Sequence, residues 1–330
     1  MTLEIRARND RFDSWPWEYL YVPENPLDPN TGFFLGERTN FVLTRYMPLV
    51  DSEPTIQIRP PLRILFVVLS PSDLPRIEYE AVLETLLRLR NQGGQSRIDL
   101  WILTERHTPD GSRYPDVDAE IRTNYRSFLN SVDQFDPHVI HIISHGRYGS
   151  TDENAPCGQM AFPRSDTKAG WIRDQDLAND LTGSPSLRLV FLQACETAQT
   201  TSSPYQVISG MAQWLAQKNV PAVIAMHFRV ESSLANEFAR AFYEALVERT
   251  PIEVAMHAAR RQLYISGVVG ESQRTGFGLP VLYLRGSGAL LTPLESPASS
   301  AKPESTDARI PGGLEDSRAG LKRVAGVLEA

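Results

Sequence analysis

Two stretches carry residues able to act on a covalent bond. LVFLQACETA (189–198) sets Cys195 where an apolar run meets small polar residues, and HVIHIISHG (138–146) ends in His145-Gly146. A thiol becomes a good nucleophile when a neighbouring imidazole takes its proton or stabilises its thiolate, so one Cys and one His are the minimum for covalent acyl transfer. The acyl intermediate also needs donors for its oxyanion. Gly146, lacking a side chain, lets backbone N–H groups approach a substrate carbonyl, and the N–H of Cys195 supplies a second donor.

Each residue also has a plainer reading. A lone Cys after an apolar strand is a small buried hydrophobe, and it is the pairing with His145-Gly146 that points to a nucleophile. A metal site is the rival use of the histidines. On a strand, His138 and His145 fall on opposite faces, while His141 and His145 share a face about 13 Å apart at ~3.3 Å rise per residue. Three ligands on one zinc do not fit that spacing. His141 is then a packed or supporting residue, and Cys157, in the polar stretch STDENAPCGQ, is an exposed free thiol. His107, His227 and His257 have no comparable context.

The elements that must hold the two reactive ends show as short runs of Val, Ile, Leu and Phe. They are RILFVVLS (63–70), IDLWILT (98–104), HVIHIIS (138–144), RLVFLQA (188–194), VPAVIAM (220–226) and LPVLYLR (279–285). Nearly continuous apolar strands belong to a sheet covered on both faces. Between them, Val117, Ile121, Tyr125, Phe128, Val132 and Phe135 recur at helical spacing, as do Leu234, Phe238, Ala241, Phe242, Ala245 and Leu246. Thr250, Pro251 and Glu253 read as an N-cap, a first-turn proline and a capping-box carboxylate for a helix carrying Ile252, Ala255, Met256, Ala259 and Leu263. This alternation predicts an α/β sandwich around a mainly parallel sheet. Functional groups in such sheets gather beyond the carboxyl ends of strands, where both His145 and Cys195 lie. If the two strands are neighbours, the imidazole and the thiol can face each other.

With 42% hydrophobic and 22% charged residues, the 330-residue chain has the balance of a soluble globular protein. A net charge of -7 offers no basic stripe for phosphates, which argues against nucleic-acid binding. The start, MTLEIRARNDRF, lacks the features of a signal peptide, and no apolar run is long enough to span a bilayer, so the expectation is a cytoplasmic chain with no membrane partner. Two cysteines in that reducing setting are free thiols. The aromatic, Pro-rich residues 1–60 are expected to pack as an N-terminal portion on a domain over 61–290. The polar, Pro- and Ser-rich residues 291–330 should form a flexible tail with a short helix near its end.

Taken together, these segments resemble the CHAT family of caspase-like peptidases, relatives of the separase and caspase group. The resemblance runs from about 14 to 286 through PWEYLY (16–21), RILFVVLSP (63–71), HVIHIISHG, LVFLQACETA, VPAVIAMHFRVESSLANEFARAFYEAL (220–246), AMHAARRQL and GLPVLYLRG. Gln193-Ala194-Cys195 also matches the first half of the caspase signature, with its His about 50 residues upstream, whereas Glu196-Thr197 departs from the second half. The resemblance implies a caspase-like αβα sandwich with His145 as the catalytic histidine and Cys195 as the nucleophile. The implied reaction is peptide hydrolysis without a metal or organic cofactor, with Gly146 and Cys195 N–H groups holding the oxyanion. It further implies a regulated enzyme with a dedicated protein substrate, in a bacterial defence or programmed-death pathway.

For specificity, a cationic P1 side chain needs a carboxylate, and Asp152, Glu153, Glu196 and Glu231 lie near strand ends. Arg147 and Arg229 would instead favour an acidic P1. Resemblance to the separase-like group favours Arg or Lys. The alternatives are a non-catalytic caspase-like scaffold that binds a partner protein, and a thiol acyltransferase or amidase on a small substrate. Restraint of a peptidase would come from an activating protease or regulatory partner, acting through the tail or through a cut at Arg164 or Lys168. Those two residues lie in STDENAPCGQMAFPRSDTKAGW, read as a long polar loop.

Overall fold

A computed structural model describes residues 2–5, 15–25, 27–36, 42–46, 58, 61–91, 98–104, 124–149, 157–196, 205–218, 220–226, 232–248, 250–269 and 275–285; for Ala194, Cys195 and Glu196 it describes the backbone. The strands are β1 (Thr2–Ile5), β2 (Tyr21–Asn25), β3 (Asp28–Phe34), β4 (Val42–Tyr46), β5 (Leu62–Val68), β6 (Ile98–Thr104), β7 (Val139–Gly149), β8 (Cys157–Pro163), β9 (Ala169–Arg173), β10 (Leu189–Glu196), β11 (Ala222–Met226) and β12 (Pro280–Leu284). The helices are α1 (Glu80–Asn91), α2 (Tyr125–Phe135), α3 (Asp174–Leu181), α4 (Tyr205–Gln217), α5 (Ser232–Val247) and α6 (Ile252–Val269). All six apolar runs seen in the sequence are strands of one sheet, ordered β1-β4-β12-β11-β10-β7-β5-β6. Along that path only β11 and β12 run antiparallel. The fold is therefore the expected α/β sandwich around a mainly parallel sheet.

Strand alternation divides the core into two layers. Ile64, Phe66, Val68, Val139, Ile143, Leu189 and Phe191 face α1, α5 and α6, whereas Leu65, Val67, Ile140, Ile142, Val190 and Leu192 face α2, α3 and α4. Apolar residues on both sets of positions are what a sheet buried on two sides requires. Helix α1 turns Val82, Leu83, Leu86 and Leu89 inward, and Arg88 and Arg90 in its last turn complement the negative end of its dipole. Helix α2 is capped by Asn124, whose side-chain oxygen accepts from Ser127 N–H at 2.9 Å, and is closed by Asp136 in the left-handed region at φ 48°.

Two local expectations are corrected, and a third falls partly outside the described residues. The helix read from Val117 is described from Tyr125 onward; Val117 and Ile121 lie outside the described residues. The capping box at Thr250 and Glu253 does not form. Thr250 Oγ1 donates instead to the Ala245 carbonyl of the preceding helix, Pro251 O accepts from the Val254 and Ala255 N–H groups of α6, and Glu253 Oε2 is buried without a partner among the described residues. Burial accordingly raises the Glu253 pKa. The supposed long loop after β7 is, from Cys157 onward, the β8–β9 hairpin, which extends the sheet by pairing antiparallel with β7. Residues 150–156 lie outside the described residues.

No helix among the described residues is long and apolar enough to cross a membrane. The chain divides into Met1–Leu294 and Glu295–Ala330, and the second unit lies outside the described residues.

Candidate active site

Strands β7 and β10 are direct parallel neighbours, and their register sets Cys195 opposite His145 and Glu196 opposite Gly146. Adjacent strands lie about 4.8 Å apart, so the Cys195 backbone is one strand spacing from the His145 backbone at the carboxyl end of the sheet. The separation of 145 from 195 in sequence closes because α3 returns the chain to the amino edge of β7, where Arg188 N–H donates to His138 O at 2.8 Å and restarts pairing.

His145 is 4% exposed. Its Nε2 lies 2.9 Å from the carbonyl oxygen of Pro75, and its Nδ1 is buried without a hydrogen-bond partner among the described residues. A carbonyl oxygen can only accept, so Nε2 carries the ring proton in the neutral imidazole and Nδ1 keeps its lone pair. The ring is thus a base at Nδ1, held by its other nitrogen. Pro75 sits in the segment joining β5 to α1. Leu69 N–H donates to Ile143 O (2.9 Å), Ser72 N–H to Thr167 O (2.9 Å), and Ala169 N–H to Asp73 Oδ1 (2.8 Å). The last two contacts tie this segment to the β8–β9 turn.

Below His145 on the same sheet face, His141 is wholly buried and stacks on Phe191 with ring centroids 4.1 Å apart. Its Nδ1 lies 3.1 Å from the Tyr243 hydroxyl and its Nε2 3.3 Å from Gln193 Oε1. The Gln193 amide then donates to Asn236 Oδ1 at 3.5 Å on α5. Tyr243 donates its O–H, so His141 donates from Nε2; burial pulls its pKa down to about 3, although the Gln193 contact opposes this. His141 is a neutral strut linking β7, β10 and α5. His138, at the amino end of β7, accepts from Arg63 N–H at 3.1 Å, and burial, with Arg63 and Arg188 nearby, lowers its pKa to about 4.

The remaining expectations divide. Gly146 is buried within β7 between Glu196 of β10 and Met160 of β8. Glu196 ends β10, and Asp152, Glu153, Glu231, Arg229, His107 and His227 lie outside the described residues. His257 is on α6 with its Nε2 buried and without a partner among the described residues, away from both strand ends. Among the described residues no group of three His, Cys, Asp or Glu side chains converges as metal ligands would. Cys157 is a free thiol, but it is half-buried at the start of β8, paired with Gly149, rather than exposed in a loop. Sequence reasoning missed Pro75, because a backbone carbonyl leaves no mark in residue type. It also missed Gln159 and Trp171, which become neighbours of Arg147 only through the hairpin register. The Arg147 guanidinium lies 4.1 Å from the centre of the Trp171 ring, and its Nε donates to Gln159 Oε1 at 2.7 Å.

The family model of the CHAT domain matches residues 10–270. No curated protein matches the chain. Among solved structures the chain is similar to the Saccharomyces cerevisiae separase–securin complex, at 11% identity and a TM-score of 0.41, covering 82% of this chain and 14% of that one. It is also similar to a secreted C11 cysteine protease from Bacteroides thetaiotaomicron in complex with an irreversible peptide inhibitor, at 14% identity and a TM-score of 0.39, covering 62% of this chain and 58% of that one. The chain spans less than two thirds of either structure.

Proposed function

Because this chain belongs to the CHAT domain family, we propose that it is a cysteine endopeptidase in which Cys195 is the nucleophile and His145 the acid–base. The observation that carries this reading is the register pairing of Cys195 with His145, whose Nε2 is capped by Pro75 O while Nδ1 is buried with no partner among the described residues. Nδ1 takes the thiol proton as sulfur adds to the scissile carbonyl, and the N–H groups of Gly146 and Cys195 receive the oxyanion. The same nitrogen returns the proton to the leaving amine as the C–N bond breaks. Water then adds to the thioester, again losing a proton to Nδ1, and the thiol is regenerated. Neutral imidazole held by one fixed acceptor suits both directions of transfer.

The family resemblance further supports a cytoplasmic enzyme with one dedicated protein substrate, under the control of a protease or partner, in bacterial defence or programmed death. It favours Arg or Lys at P1, with Asp152, Glu153, Glu196 and Glu231 as the acidic residues that would receive it. Residues 1–60, 61–290 and 291–330 would then be N-terminal portion, peptidase domain and regulatory tail. The test is digestion of a proteome-derived peptide library, with cut sites read by mass spectrometry. Cleavage by wild type, absent from Cys195→Ala and His145→Ala, is the expected result. Equal cleavage by either variant would overturn the assignment.

A further inference from the structure

Arg147 stands apart from the other half-buried or buried arginines near the sheet. Arg260 and Arg188 direct their terminal nitrogens to backbone carbonyls, and Arg63 and Arg173 bind the carboxylates of Asp136 and Asp176. Arg147 has a different arrangement. Trp171 covers one face of its guanidinium and Gln159, itself wholly buried, takes its Nε–H, while no carboxylate or carbonyl among the described residues meets its two terminal nitrogens. The planar group is thereby fixed on its flat side and at its inner end, with the outer N–H fork left over. That fork is the part which binds a carboxylate bidentately, and a guanidinium already held in place loses little freedom in doing so.

The location gives the fork a purpose. Arg147 is two residues beyond His145 on β7, on the same strand face, and so about 7 Å along the strand at ~3.3 Å per residue. Gln159 and Trp171 lie on the matching face of the hairpin, opposite Met160 and Phe162, which point into the core layer of α2, α3 and α4. The hairpin therefore builds a shelf beside His145 whose cation is pre-set by an aromatic floor. An extended peptide advances about 3.3 Å per residue, so a side chain reaching this shelf belongs to a residue within about two positions of the bond at Cys195.

Resting on the peptidase reading for its substrate, we propose that Arg147 is a specificity-determining residue that binds an Asp or Glu side chain of the peptide within two positions of the scissile bond. Where P1 is Arg or Lys, this contact selects a second feature of the substrate. Trp171 and Gln159 are its positioning residues, holding the guanidinium by one face and by its Nε–H.

Binding tests this without requiring turnover. Two fluorescein-labelled pools of short peptides, identical except for a central Glu or Gln, are titrated by anisotropy against full-length Cys195→Ala protein. The Glu pool should bind about tenfold tighter, as one charge-assisted bidentate contact gives. Adding Arg147→Gln should abolish the difference, Arg147→Lys should keep only part of it, and Arg147→Glu should reverse it toward a central Lys. Inversion by Arg147→Glu also shows that the variant is folded. Equal binding of both pools to the parent protein, or a preference that survives Arg147→Gln, overturns the proposal. The library digestion reports separately on the peptidase reading: no cleavage there, with Glu-selective binding here, would remove the enzyme and leave the acidic-peptide site standing.

Discussion

Pro75 offers its carbonyl oxygen and no N–H, so its contact with Nε2 fixes where the proton of the neutral His145 ring resides and leaves Nδ1 with its lone pair. The same logic of fixed tautomers holds at His141, where the Tyr243 hydroxyl and the Gln193 oxygen leave no room for a charged ring. A prediction follows from its pKa of about 3. An unfolded His binds its proton near pH 6.5, so from there down to about 3 the unfolded chain holds more protons than the folded one, and stability falls as the pH drops through that window. His141 contributes up to about 1.4 kcal/mol per pH unit to this slope. Denaturant titrations at pH 7, 6, 5 and 4 should show a shallower fall for His141→Asn than for wild type, at lower stability throughout; identical slopes would contradict it. Among the candidate residues, the placement of His145, Gly146 and Cys195 at neighbouring strand ends was legible because residue type and strand context coincide. Pro75 was not, since its contribution comes from the main chain and any residue could supply it.

At the level of elements, the segment between β5 and α1 positions Pro75, and the β8–β9 turn positions that segment. Asp73 accepts the Ala169 N–H, and Ser72 bonds Thr167 through both its N–H and its hydroxyl. Removing the Asp73 carboxylate should loosen Pro75 and with it the ring of His145. Asp73→Ala is expected to lower kcat about tenfold with little change in KM, the equivalent of one lost hydrogen bond. Asp73→Asn, which still offers an amide oxygen, should recover most of it. Steady-state kinetics on a peptide cut by wild type decides this, and equal losses in the two variants would exclude the clamp. The six central strands could be read from the sequence because short runs that are apolar at every position fit a sheet covered on both faces. The β8–β9 hairpin escaped because its turn, Arg164 to Lys168, uses Thr167 at φ 66° rather than the Gly or Asn that normally marks a left-handed position. Arg164 and Lys168 are therefore exposed at a closed, hydrogen-bonded turn, not along a slack loop.

Across the molecule, the first described segments are joined to the last strand and helix by a buried ionic cluster. Glu18 lies between Arg45 and Arg260, all three at most 2% exposed. Arg260 also donates to the carbonyls of Leu43 and Pro280, and burial lowers its pKa to about 10 despite Glu18. Strand β4 pairs with β12 beside this cluster, and Tyr19 packs so closely on Gly278 that a Cβ there would lie 2.4 Å from its ring. Glu18→Gln removes the carboxylate that two buried cations share and should cost about 3–5 kcal/mol. The expected sign is a lower denaturant midpoint at unchanged m-value, whereas a midpoint equal to wild type would show that the cluster is not holding these segments together. The sequence marked residues 1–60 as aromatic and ordered, but pairing a carboxylate at 18 with a cation at 260 depends on the complete sheet order.

In the proposed mechanism His145 activates Cys195. Alkylation by iodoacetamide at pH 7, followed residue by residue with peptide mapping, tests it directly, with Cys157 of the same chain as internal reference. His145→Ala should slow labelling of Cys195 by about tenfold or more while the rate at Cys157 stays the same. An unchanged Cys195 rate in His145→Ala would contradict it.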